Sequence, residues 1–197
     1  MNTNTISTWH RRLSWLTPQL AVSGDLPWDR ADAKAKLDEW RQAGITHILD
    51  LRGECNDKDF VHDQAPELGY TWIGTHDNGS EQDIWWFDEG IRVATEVLAD
   101  PQARLLVHCH MGINRAPSMA FAILLSRGSD LTEALDRIRS ARPIAAIAYA
   151  EDAIEYVVAA NGTNAIGRSH QVDDLARWRR ANPIDTVHII ATIRQAT

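Results

Sequence analysis

A cysteine and an arginine, Cys109 and Arg115, stand in the stretch LLVHCHMGINRAPSM with His110, Met111, Gly112, Ile113 and Asn114 between them. A free thiol with a pKa of about 8.5 is a weak nucleophile at neutral pH, but beside a guanidinium and a helix N-terminus it can fall to about 3.5–7.5. Arginine offers a planar fork of donors that matches two oxygens of a phosphate. A loop built this way can bind a tetrahedral oxyanion and present a sulfur nucleophile to its central atom. The backbone N–H groups of His110, Met111, Gly112, Ile113, Asn114 and Arg115 are the expected phosphate cradle, with Cys109 and Arg115 as catalytic residues. The competing reading of Cys109 is a buried core cysteine, a frequent fate of free thiols.

The elements needed to hold such a loop lie on either side of it. Leu105–Val107 is a short apolar run that predicts a buried strand. Ala116–Leu125 predicts a buried helix with Pro117 in its first turn, where a missing N–H is tolerated. A strand, a tight loop and a helix start place free N–H groups and the positive end of a helix dipole at one point.

His108-Cys109-x-x-Gly112-x-x-Arg115 resembles the HCxxGxxR signature of cysteine-dependent protein phosphatases, and its surroundings are most similar to the compact dual-specificity branch. The resemblance runs from about Leu16 to Gly162. It implies a phosphomonoester hydrolase, acting on phosphotyrosine, phosphoserine or phosphothreonine through a cysteinyl-phosphate. The segment Trp72-Ile73-Gly74-Thr75-His76-Asp77-Asn78 followed by Asp83-Ile84-Trp85-Trp86-Phe87 is similar to the family's acid loop. This implies Asp77 as general acid and base, with Asp83 as a helix cap and reserve acid. The bland alternative for Asp77-Asn78-Gly79 is turn chemistry. His108 is expected to support the loop through a hydrogen bond, or otherwise to pack in the core. The family places Ser or Thr directly after the arginine to help the sulfur leave. Here Ala116 stands there, which favours as an alternative a phosphate- or phosphopeptide-binding module with little turnover. The family's bracing asparagine is not evident in Ile144–Ala148. Cys55 ends a segment, GITHILDLRGEC, that also looks homologous. It is either a redox partner for Cys109 or a small buried residue. A sulfur-transfer or arsenate-reducing use of the loop would need a resolving cysteine beside Cys109.

Composition narrows the partners. The 197 residues carry a net charge of −7, with 44% hydrophobic and 24% charged residues. That is ordinary for a globular protein and lacks the basic bias that nucleic acid or an anionic membrane would need. Two cysteines imply no disulfide framework. The polar N-terminus lacks the apolar core of a signal peptide, and no run is long enough to span a bilayer. The expected setting is cytoplasmic. His76, His108 and His110 fit no common zinc spacing, so no metal or cofactor is expected. The expected partner is a phosphorylated protein or small phosphomonoester.

In order, the chain suggests an arm over 1–14, a catalytic domain over 15–162 and a helical extension over 163–197. Strands are expected at Trp15–Gly24, Thr46–Arg52, Tyr70–Gly74 and Leu105–Val107. Helices are expected from the Asp29 cap to Ala43, at Ile84–Leu98, from a Ser129 or Asp130 cap to Ala141, and at Ile147–Ala160. Asn164–Ser169 reads as a linker, followed by a helix over Val172–Ala181 and an apolar segment over Ile184–Ile193. Strands alternating with helices predict an α/β fold, a mostly parallel twisted sheet of four to five strands flanked by helices.

Overall fold

In a computed structural model, residues 9–160, 162 and 165–196 are described. Strands β1 (Ser14–Trp15), β2 (Leu20–Ser23), β3 (His47–Arg52), β4 (Gly69–Thr75) and β5 (Leu105–His108) form one sheet in the order β1-β2-β5-β3-β4. β2, β5, β3 and β4 are parallel, and only β1 runs against its neighbour. β5 is central. Its Leu105, Val107 and the following Cys109 point to one apolar cluster, and Leu106 to the other. This is the two-residue period of a strand buried on both faces. One face is covered by α1 (Arg30–Gln42) and α2 (Lys58–Gln64). The other is covered by α3 (Ile84–Val97), α4 (Arg115–Ser126), α5 (Leu131–Ala141), α6 (Ala150–Ala160) and α7 (Ala165–Ala181). Helix α4 is buried on every side from Arg115 to Leu124, in keeping with a sequence whose only polar residues there are Arg115 and Ser118. Helix α8 (Thr186–Ala196) follows.

The helix starts follow side-chain chemistry. Asp29 accepts from the N–H groups of Ala31 and Asp32, and Asp130, not Ser129, accepts from those of Thr132 and Glu133. Gly44 closes α1 at φ +83°.

The structure departs from the sequence expectations in four places. Trp15–Gly24 is two strands: Thr17 Oγ1 accepts the N–H groups of Gln19 and Leu20, folding β2 back on β1. Residues 9–14 are no loose arm, because His10 is 4% exposed and its carbonyl is bonded to Arg142; residues 1–8 lie outside the described set. Helix α6 begins at Ala150 rather than Ile147, since Ile147 sits at φ +55° and Asn114 takes the N–H of Ala148. The expected linker at Asn164–Ser169 is helical from Ala165, because α7 is anchored further along by buried Leu175 and Trp178; Asn164 lies outside the described residues.

Candidate active site

Parallel strands end together. Ser23, His108 and Asp50 are in register across β2, β5 and β3. The residues just beyond them therefore meet at the carboxyl edge of the sheet, where α/β proteins bind ligands. Asp25, Glu54, Asp77 and the Cys109–Arg115 loop all come from this edge.

The loop is held from behind by its carbonyls. His110 O accepts from Asp25 N–H at 3.0 Å, Ile113 O from Ala146 N–H at 2.7 Å and Asn114 O from Ser118 N–H at 2.8 Å. Met111 O and Gly112 O accept from the guanidinium of Arg142, at 3.1 Å and 2.5 Å. In a trans peptide the C=O and the following N–H point in opposite directions, and no cis peptide occurs among the described residues. Five carbonyls turned back therefore turn five N–H groups forward, those of Met111, Gly112, Ile113, Asn114 and Arg115. Those of Gly112 and, one residue on, Ala116 reach the sulfur of Cys109. His110 enters the cleft by its ring instead. Gly112 is required twice over. Its φ is +63°, and a Cβ there would lie 2.2 Å from Nη2 of Arg142.

Arg142 is wholly buried and also bonds the carbonyls of His10 and Arg12. Burial pulls its guanidinium down to about 10, which leaves it charged at neutral pH.

Arg115 has three of its five N–H groups occupied. Nη1 donates to Glu54 Oε2 at 2.7 Å and to Thr75 O at 2.8 Å, and Nη2 donates to Glu54 Oε1 at 2.8 Å. Its Nε is buried without a hydrogen-bond partner and lies 3.7 Å from Asp77 Oδ2. The N–H of Nε and the adjacent N–H of Nη2 remain, side by side on one edge. That pair has the geometry of a fork able to engage two oxygens of one tetrahedral anion. Burial would lower the Arg115 guanidinium, but Glu54, Cys109 and Asp77 outweigh it and hold it up.

Asp77 Oδ1 accepts from Asn114 Nδ2 and from the hydroxyl of Tyr149, both at 2.7 Å. Burial and this bond push the Tyr149 hydroxyl up to about 12. Asn114 Oδ1 accepts the N–H of Ala148 at 2.7 Å. The loop's own asparagine thus ties the acid loop to the segment that precedes α6. Asp83 caps α3, accepting the N–H of Trp85 at 2.9 Å. Trp86 is core, donating to Ile73 O, while Trp85 is exposed.

Two expectations need correction. His108 forms no hydrogen bond: both ring nitrogens are buried without a partner, and the ring packs 5.7 Å from that of Trp40. Burial holds its pKa down, so it is a neutral core residue. The surroundings of Cys109 do not acidify its thiol. Burial pushes it up, against the downward pull of Arg115 and of the N–H groups of Ala116 and Gly112. Arg115 is already balanced by Glu54, and the Asp77 carboxylate adds to the upward push.

Ser118, the nearest hydroxyl in sequence after Ala116, is buried and bonds Asn114 Oδ1 and the N–H of Tyr149 at 3.3 Å each. Cys55 and Cys109 are both free thiols. Asp50, Asp57 and His108 bring ligand atoms within 4.8 Å of one another. Arg52 bonds both carboxylates there and supplies the compensating charge, so the set does not fit a cation.

Sequence reasoning missed Glu54, Asp25, Arg142 and Tyr149. Glu54 had a signal, because it follows the strand next to β5 at the carboxyl edge. Asp25 had the same signal after β2. It is buried, and its Oδ2 lies 2.6 Å from Nδ1 of His110. Burial would raise Asp25, but its bonds to His10 and His110 hold it well below the usual carboxylate range. Arg142 and Tyr149 act across 30 or more residues of sequence and carried no local signal.

The site sits at the carboxyl edge of a mostly parallel sheet, with a thiol and a guanidinium at the two ends of one loop. The family model for the dual specificity phosphatase catalytic domain matches residues 30–157, and the chain belongs to that family. It is 28% identical to human dual specificity protein phosphatase 16 over 104 residues, 52% of this chain and 15% of that protein. It is 29% identical to human dual specificity protein phosphatase 13B over 143 residues, 68% of this chain and 72% of that protein. The chain therefore spans only a small part of the first relative and most of the second. The crystal structure of human DUSP28 matches with a TM-score of 0.60 at 20% identity, covering 76% of this chain and 95% of that one. No helix among the described residues is long and apolar enough to cross a membrane.

Proposed function

We propose that the chain is a phosphomonoester hydrolase that uses Cys109 as nucleophile, Arg115 as phosphate fork and Asp77 as acid and base. The observation that carries this reading is the free Nε–Nη2 edge of Arg115, set beside five forward-facing N–H groups and a cysteine sulfur. Such donors hold the three equatorial oxygens of a phosphoryl group and stabilise the charge that builds on them in transfer.

In the first step the Cys109 thiol loses its proton to solvent and the thiolate attacks phosphorus. An S–P bond forms as the P–O bond to the leaving group breaks, and Asp77 gives that oxygen its proton. In the second step Asp77 takes a proton from water, the water oxygen forms a bond to phosphorus as the S–P bond breaks, and orthophosphate is released from the regenerated Cys109 thiolate. Asn114 and Tyr149 hold the Asp77 carboxyl over the loop through both steps.

The test is orthophosphate release from para-nitrophenyl phosphate between pH 5 and 8. Wild type should turn over, and Cys109→Ser should lose on the order of 10^4-fold or more. Unchanged activity in that variant overturns the proposal.

A second reading has its own support. Ala116 offers no hydroxyl to the leaving sulfur, and Ser118 is engaged elsewhere. This favours a protein that binds and accepts the phosphoryl group but releases it slowly. Rapid-mixing kinetics should then show a burst of alcohol product followed by a slower steady state.

A further inference from the structure

Helix α8 lies outside the 30–157 stretch that matches the family model, yet it forms part of the candidate active-site cleft. Its apolar face explains how it is held. Ile189 and Ile193, 3% and 0% exposed, pack with Ile113 of the loop and with Ile144, which precedes α6. Met111 of the loop borders the same cluster. A second face, Thr186, Ile190 and Arg194, repeats every four residues and lines the cleft together with Cys109, His110 and Arg115. The cleft volume is about 440 Å³. That is the size of a site for a whole small ligand, far larger than one phosphoryl group needs.

Within that space the chemistry is divided. Met111, Ala146, Ala148 and Ile190 present an apolar surface. Arg194 presents a guanidinium that is exposed and has no ion pair among the described residues, unlike Arg115. It stands in the last turn of α8, where the helix dipole favours a cation.

We infer that Arg194 is a specificity-determining residue, taking a second anionic group on a phosphomonoester whose apolar body lies along Ile190 and Met111. This deepens the hydrolase reading and rests on it. The shared chemistry is a phosphoryl group and a second anion separated by an apolar spacer. A carboxylated aryl phosphate supplies it, and so does a phosphotyrosyl peptide with an adjacent Glu.

The experiment compares phenyl phosphate with a carboxymethyl-substituted phenyl phosphate, and a phosphotyrosyl peptide carrying Glu beside the phosphotyrosine with its Gln counterpart. In the full chain the acidic member of each pair should be favoured in kcat/KM about fivefold, chiefly through KM, as expected for one accessible ion pair. The preference should shrink as salt is raised. Arg194→Gln should bring both ratios toward one. Arg180→Gln, which removes the same charge from an exposed position on α7 outside the cleft, should keep them. A preference confined to the small-molecule pair assigns the site to small phosphomonoesters, and one seen with the peptides assigns it to proteins. Equal ratios in wild type, or ratios that survive Arg194→Gln, overturn the inference.

Calorimetric binding of the same peptides to Cys109→Ser reads the discrimination without turnover. If that discrimination vanishes in Cys109→Ser/Arg194→Gln while wild type hydrolyses nothing, the hydrolase reading has failed and the assignment of Arg194 has not.

Discussion

The floor of the cleft and the wall contributed by α8 are held in place by different physics. The floor is polar and fixed by directed bonds: Arg142, Asp25 and Ala146 engage successive carbonyls, and their geometry forces the N–H groups forward. The wall packs through apolar burial, with Ile189 and Ile193 set on Ile113 and Ile144. Hydrogen-bonded backing sets orientation to within tens of degrees, which a phosphoryl-transfer site needs. Apolar packing sets proximity and shape, which is enough to choose among leaving groups. The comparison teaches that directed bonds fix the N–H groups around Cys109, while α8, outside the stretch that matches the family, adds shape to the cleft.

Substitutions can break or sharpen this contrast. The largest effect should come from Arg142→Met. It strips a buried donor from the carbonyls of His10, Met111, Arg12 and Gly112, each costing about 1–3 kcal/mol when left unpaired. Urea denaturation should show a large loss of stability. In the protein that remains folded, kcat/KM should fall on the order of 10^3-fold on every substrate alike. A loss that depends on the leaving group would place Arg142 in the wall's role and break the distinction.

Asp77→Asn should cost about 10^2-fold with an alkyl phosphate, whose poor leaving group needs the proton, and much less with para-nitrophenyl phosphate. The same change removes an anion that holds the thiol up. The pH midpoint for alkylation of Cys109 by iodoacetamide should therefore move down. An upward move would contradict the electrostatics described here.

Ile193→Ala should destabilise the protein by about 2–5 kcal/mol through the cavity it opens beneath α8. Turnover of phenyl phosphate should fall roughly tenfold at most, well short of the Arg142→Met loss, while the preference for acidic substrates disappears. Loss of both together would show that the wall also holds the floor.

The smallest effect is expected from Ala116→Ser. It restores a hydroxyl beside the sulfur and should speed the steady state a few-fold, about one extra hydrogen bond's worth. The burst should stay unchanged, as rapid-mixing kinetics would show.

Much of the floor was legible because its logic is local. A buried strand, a glycine able to take φ +63° and a mostly apolar helix occupy adjacent positions, with Cys109 and Arg115 at the two ends of the loop between them. The Asp83 cap was legible for the same reason, from the apolar period that follows it, whereas Asp77 was named from the resemblance. The supports were not. Arg142 reads as the end of a broken helix, and Tyr149 as one aromatic near a turn. Each gains its role only when the sheet brings distant segments together. His108 left two readings open in sequence, a hydrogen bond that orders the loop or core packing, and the structure favours the second. The strand's two-residue period sends it to the Trp40 side. The thiol's acidity was misjudged because sequence reveals the arginine and the helix start but not the burial, nor Glu54 already paired with that arginine. Helix α8 showed its apolar residues in sequence, yet nothing local said that the cleft would be their neighbour.

The account turns on phosphorus passing through the sulfur of Cys109. Quenching the reaction with an aryl phosphate in acid during the first turnovers, then mapping peptides by mass spectrometry, tests this directly. Phosphocysteine at position 109, accumulating with the burst and absent from Cys109→Ser, is the predicted result. Product formation with no phosphocysteine at any quench time, and with undiminished rate in Cys109→Ser, would contradict it.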